Sequence, residues 1–284
     1  MNSTSAKGPD SRPKHLHLIL LGAVLLVLAS KARSADMELV LSPELQARIL
    51  AQVPQGKAAR TIERFSATHE IDHKANFSKT YADEKNIITV LEDGLTGMTG
   101  STAFRSSSSK GAGRGMSLCG LVPLLVESGR NVDTSVTSVV PAGKTFLPFS
   151  IKSDIDVSNR VKLSTFEASI PSLCSPAPGS EFSYKTETAV QFKTSGLFGR
   201  TNDFQRIEST SCKVAATSSP ASQLNASLTG DYWAVSCQIT PKTGSPRQAD
   251  YAYLPDAKFY LPLYLKDEWQ STKISYSEFV YATP

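Results

Sequence analysis

Apolar and polar positions alternate with a period of two along much of the chain. Phe182, Tyr184, Thr186, Thr188, Val190 and Phe192 interleave with Glu181, Ser183, Lys185, Glu187, Ala189, Gln191 and Lys193. Successive side chains of a strand face opposite ways, so this run predicts an antiparallel strand with one face in water. A second alternation places Phe65, Ala67, His69, Ile71, His73, Ala75 and Phe77 between residues that are all polar, and predicts a strand over 65–77. A third sets Trp233, Val235, Cys237 and Ile239 on one face after Gly230-Asp231, and another run ends in Cys212-Lys213-Val214. Short apolar runs at 86–91, 118–126, 132–140, 145–151 and 160–168 read as further strands. Gly129, Pro141-Ala142-Gly143 and Asp154 mark breaks between them.

One helix is predicted. Ser42 can cap it, Pro43 suits its first turn, and Leu45 and Ile49 share a face before Pro54 and Gly56. Many short strands with turn signals between them imply a mainly β fold, an antiparallel sandwich or barrel with this short N-terminal helix. Three segments have a hydrophobic-Pro-hydrophobic centre: Val122-Pro123-Leu124, Leu147-Pro148-Phe149 and Leu261-Pro262-Leu263. Proline lacks an amide donor, so these read as edge strands or strand starts. Residues 98–116 are rich in Gly and Ser and read as a linker or long loop. It would divide a helix-plus-strands segment, 36–97, from a β domain at 117–284.

The N-terminal 35 residues have a different character. Arg12 and Lys14 precede an apolar run from Leu16 to Ala29 that stops at Lys31. The run is short for a membrane span, which needs about 20 residues, and fits a secretory signal peptide. An uncleaved inner-membrane anchor facing the periplasm is the alternative, and the one membrane contact the sequence suggests. The net charge of +4 comes from this segment. Five of the 30 basic residues and one of the 26 acidic ones lie in 1–35, leaving 25 of each beyond it. That balance gives no support for a nucleic-acid partner.

The cysteines agree with export. Cys119, Cys174, Cys212 and Cys237 allow three pairings, and sequence-local blocks favour Cys119–Cys174 and Cys212–Cys237. No Cys-x-x-Cys pair supports a four-cysteine zinc site. The arrangement Cys212 … Leu228-Thr229-Gly230 … Val235-Ser236-Cys237 … Tyr253-Leu254-Pro255-Asp256 resembles uncharacterised exported β-rich proteins of proteobacteria. The resemblance covers roughly the C-terminal third. It implies a bacterial exported β protein, periplasmic or secreted, and brings no activity with it.

His69-Glu70-Ile71-Asp72-His73 matches the His-Glu-x-x-His pattern of zinc metalloproteases. That resemblance would make His69 and His73 zinc ligands, Glu70 the general base, and Glu84 or Glu92 a third ligand. The chemistry needs a helix, on which residues four apart share a face at roughly 6 Å. On a strand the two histidines stand about 13 Å apart along the axis, and Glu70 points the other way. The pattern around them is that of a strand. The C-terminal aromatics read first as core and edge packing; Tyr251, Tyr253, Tyr260 and Trp269 are the candidates should they form a binding surface. The sequence therefore predicts an exported, non-catalytic β protein without a cofactor, binding a protein partner or a glycan. A zinc hydrolase built on His69, Glu70 and His73 is the alternative.

Overall fold

A computed structural model describes residues 41–281 apart from 54–57, 76, 91–94, 106–108, 143–144, 171–172 and 196–198. The 1–35 segment, with its signal or anchor, and Glu92 lie outside the described residues. A helix, α1 (Pro43–Leu50), precedes the strands β1 (Ile62–His73), β2 (Ser78–Val90), β3 (Thr96–Phe104), β4 (Lys110–Leu118), β5 (Val122–Ala142) and β6 (Thr145–Ala168). They continue as β7 (Glu181–Thr194), β8 (Arg200–Val214), β9 (Ser219–Pro220), β10 (Asp231–Pro241), β11 (Arg247–Leu254), β12 (Phe259–Lys266) and β13 (Gln270–Tyr281). All pairings are antiparallel. Each long strand pairs with the next, β8 pairs with β10, and β13 pairs back onto β1. The result is a closed barrel of 12 strands, the barrel-like form of the predicted mainly β fold. β9 is a two-residue bridge hung on the start of β10.

Alternation decides which residues enter the barrel. On β7, Phe182, Tyr184, Val190 and Phe192 are buried, whereas Glu181, Ser183, Lys185, Glu187 and Lys193 face water. A barrel built to lie in lipid carries the opposite pattern, apolar outside and polar within. Among the described residues no helix is long and apolar enough to cross a membrane.

One end of the barrel is closed by its own core. Ser42 caps α1 by accepting from the Leu45 amide, and buried Leu45 and Ile49 join Leu121, Phe166, Leu173 and Tyr260. Two disulfides, Cys119–Cys174 and Cys212–Cys237, reinforce this end. Cys212 and Cys237 stand directly opposite each other on β8 and β10. The other bridge ties the β4–β5 turn to the loop after β6. That turn is tight: Cys119 and Gly120 have φ of 46° and 77°, and a Cβ on Gly120 would come within 2.7 Å of Phe259 and the Tyr260 carbonyl.

Several expectations are corrected. The Gly/Ser stretch at 98–116 is no linker: most of its described residues belong to β3 and β4, which pair with each other in the sheet. At Gly100 a small residue is needed because the Asn86 side chain crosses it. A Cβ on Gly100 would lie 1.8 Å from Asn86 Oδ1 and 2.5 Å from the Lys85 carbonyl oxygen. The run 118–126 is broken by the turn at Cys119–Leu121. The predicted strands 132–140, 145–151 and 160–168 belong to two long strands that run through Gly129 and Asp154. The strand predicted over 65–77 ends at His73, and Phe77 adopts φ 50° at 96 % exposure. Pro123 stands at the start of β5, as expected, and Pro148 lies in the β6 part of the arm, whereas Pro262 lies inside β12, a strand paired on both sides. Pro123 faces Ser117 at a register shift of the β4–β5 ladder, and Pro262 faces Tyr251 at another between β11 and β12. A bulge leaves the missing amide donor without cost.

The opposite end is extended on one side. β4 pairs with β5 as far as Asn131, and β7 pairs with β6 only from Val157. Beyond these points, among the described residues, Val132–Ala142 and Thr145–Ile155 pair with each other alone, an arm of roughly 35 Å at the usual rise per residue.

Candidate functional site

The strand at β1 sets the fate of the His-Glu-x-x-His residues. His69 and His73 lie on the inward face and Glu70 on the outward one. His69 Nε2 lies 2.5 Å from Glu84 Oε2 on β2, and His73 Nε2 lies 2.9 Å from Thr80 Oγ1. Glu70 accepts from Lys79 Nζ at 2.5 Å on the outer surface, and this partner lowers its pKa. Asp83, also outward, is lowered chiefly by its hydrogen bonds from Arg105. The structure thus brings His69 to Glu84, as one proposed ligand set required, but holds His73 and Glu70 elsewhere. Among the described residues no three His, Cys, Asp or Glu side chains group to hold a metal ion. The protease geometry is lost to the extended backbone, since neighbours four apart converge only on a helix.

Of the four candidate aromatics, two are structural. Tyr253 and Tyr260 are 3 % and 0 % exposed, and their hydroxyls donate to the carbonyls of Cys174 and Leu173, each at 2.7 Å. They hold the disulfide-bonded loop against the barrel end and offer no surface to a partner. Tyr251 meets Tyr260 edge-on at 6.2 Å between centroids and is half-buried. Burial pushes the Tyr251 and Tyr253 hydroxyls up to about 12. Trp269 is exposed, in the β12–β13 turn at the arm's end of the barrel.

The charged groups inside the barrel were not singled out by sequence. Arg206 and Glu208 lie on the inward face of β8, in register with Thr188 and Thr186 of β7. Arg247 on β11 faces Ile239 of β10, which faces Thr210 of β8. Glu208 Oε1 is ion-paired with Arg247 and, at 3.5 Å, with Arg206 Nη1. The three side chains are between 14 % and 21 % exposed. Arg206 Nε is buried with no hydrogen-bond partner among the described residues. Burial, and then the charge of Arg247, lowers the Arg206 pKa, while Glu208 opposes the shift. A signal for these residues existed. Stepping back by twos from Cys212 lands on Glu208 and Arg206, and a charge on an apolar face is a mark of function or pairing.

Two external depressions are also present. One, of ≈ 430 Å³, lies over Ala112, Gly129 and Ser158, with Arg114, Arg160 and Lys193 at its rim. Glu127 bridges the two arginines, at 2.7 Å and 3.1 Å. The other, of ≈ 390 Å³, is lined by Ser183, Lys185, Ser209, Ser211 and Gln238.

No family model, curated protein or solved structure matches this chain. Its class is therefore the one its own fold defines: a disulfide-bonded antiparallel barrel with a polar outer wall. Two disulfides and the lack of a membrane-crossing helix among the described residues are compatible with an extracellular or periplasmic protein.

Proposed function

We propose that the chain is an exported, non-catalytic binding module of the bacterial periplasm or exterior, and that it holds a protein partner through the β5–β6 arm. The observation that carries this reading is the arm itself, two strands paired only with each other beyond the barrel. Such a hairpin is unstable alone in water unless a face is covered. Register places Val136 opposite Ile151 and Val140 opposite Leu147, alternating with Ser135 opposite Lys152 and Thr137 opposite Ser150. Towards the tip, Val139 opposite Pro148 and Pro141 opposite Phe146 replace the polar pairs. Pro141 and Pro148 lack amide donors, which disfavours strand addition along both edges and leaves the faces for contact. An apolar composition of this kind suits a protein surface better than a glycan. The cysteine pairs and the resemblance to exported proteobacterial proteins support the compartment.

The test is a shortened chain in which Thr134–Ser153 is replaced by Asn-Gly, joining the facing residues Asp133 and Asp154 by a two-residue turn. The barrel's far-ultraviolet circular dichroism and unfolding midpoint are expected to persist. One stoichiometric partner, captured from envelope extract by the full chain, is expected to be lost. Equal capture by both chains removes the arm from the function, and glycan-array binding retained by both moves the site to the barrel wall.

A further inference from the structure

The barrel interior carries more positive than negative charge where β7, β8, β10 and β11 meet. Two guanidiniums, Arg206 and Arg247, share one carboxylate, Glu208. Among the described residues Glu208 is the one acidic group ion-paired with either. All three sit mostly out of water, where an uncompensated unit charge is costly and where arginine cannot escape by losing its proton. Arg206 Nε adds a buried donor with nothing among the described residues to accept it. Native interiors rarely leave such a donor unmatched, and an exception asks for a reason.

The surroundings specify what would match it. Thr186 and Thr188 face Glu208 and Arg206 from β7. Two residues along β8 on the same face stands Phe204, opposite Val190 and 41 % exposed towards the arm's end of the barrel. Along β11 on the face of Arg247 lies Tyr251, which feels the charge of that guanidinium. Tyr251 also lines a cavity of ≈ 70 Å³ with Met98, Gly115, Val126, Pro262 and Leu265. This cavity is almost wholly apolar and has room for a few carbon atoms. Residues of β3 to β5 meet those of β11 and β12 across it.

We propose that the barrel interior is a binding site for a small monocarboxylate with a short apolar chain, its carboxylate held by Arg206 and Arg247 and its chain directed to the cavity beside Tyr251. A carboxylate is planar and accepts two parallel bonds from a guanidinium fork, which suits arginine better than lysine. One negative charge neutralises the excess left by two arginines and one glutamate. The apolar lining disfavours a bare inorganic anion. The site is independent of the arm and of any partner bound there.

Isothermal titration of the full chain with hexanoate, 1-hexanol and sulfate separates charge from chain. Hexanoate is expected to bind one to one, at least tenfold more tightly than either of the others. Arg206→Met is expected to weaken hexanoate at least tenfold and to raise the unfolding midpoint of the ligand-free protein, because it removes the excess charge. Glu208→Gln is expected to tighten hexanoate, because it frees the second guanidinium. Equal binding of hexanoate and 1-hexanol overturns the proposal, as does the absence of hexanoate binding at millimolar concentration. So does an Arg206→Met chain that binds hexanoate normally. An Arg206→Met chain that fails to fold, or melts lower, overturns it too, by showing that the buried charge was already satisfied.

Discussion

Replacing both Cys119 and Cys174 by alanine is expected to cost about 4 kcal/mol of stability. The bridge closes a loop with a sequence separation of 55. In the chain-entropy model such a loop restrains the unfolded ensemble by about 4 kcal/mol at 25 °C. The Cys212–Cys237 bridge, with a separation of 25, is worth about 3.5 kcal/mol on the same basis. The native end of the barrel does not need the bridge to keep its geometry. Tyr253 and Tyr260 still donate to the carbonyls of residues 174 and 173, and the Leu173 amide still donates to Gln52 Oε1 at 3.1 Å. The loss therefore belongs to the unfolded state, which becomes more expanded. Urea unfolding followed through Trp233 and Trp269, in oxidising buffer, measures it. With a slope of about 3 kcal/mol per molar, the midpoint falls by more than about 1 M and the slope itself rises. A loss below about 1 kcal/mol with an unchanged slope refutes the reasoning. A native near-ultraviolet spectrum altered in the variant refutes it differently, by placing the effect in the folded state.

Two further outcomes follow from the packing. Gly100→Ala is expected to destabilise the barrel by about 1–3 kcal/mol, because the new methyl group meets both Asn86 Oδ1 and the backbone oxygen of Lys85; chemical denaturation beside wild type checks it. Alkaline unfolding is expected between pH 10 and 12. Tyr251 and Tyr253 are pushed up to about 12 by burial, above the ordinary value near 10, so the unfolded chain loses these protons first. The stability they confer is full below pH 10 and is lost as pH rises through 12. Absorbance at 295 nm should show these tyrosines ionising together with loss of circular dichroism, and ionisation at pH 10 in an intact fold would contradict the assigned burial.

The legible parts of the chain are those where the period of two is unbroken. Residues 181–193 became β7 with the predicted inward set, and the polar partners face water. The helix at 43–50 was legible because its cap and apolar pair lie within about two turns of each other. The His-Glu-x-x-His match was misleading as a string, and its flanks already showed a strand. The Gly-rich stretch misled in the other direction. Glycine weakens a strand on propensity, yet Gly100 is required beneath Asn86, a residue 14 positions away in sequence and adjacent only through pairing. Tyr253 and Tyr260 read first as core and second as surface, and their pattern could not separate the two uses, since an aromatic ring on a strand suits both.

The mainly β class and the facing of the regular strands were legible in the residues alone, because both depend on neighbours two positions apart. Closure of the sheet became visible only in the folded chain. Closure pairs β1 with β13, sets Pro262 beside a register shift between two paired strands and converts one apolar face into an interior. It also gathers Arg206, Glu208 and Arg247 from β8 and β11, strands joined through β10. Their convergence depends on register across two ladders, and no local pattern records it.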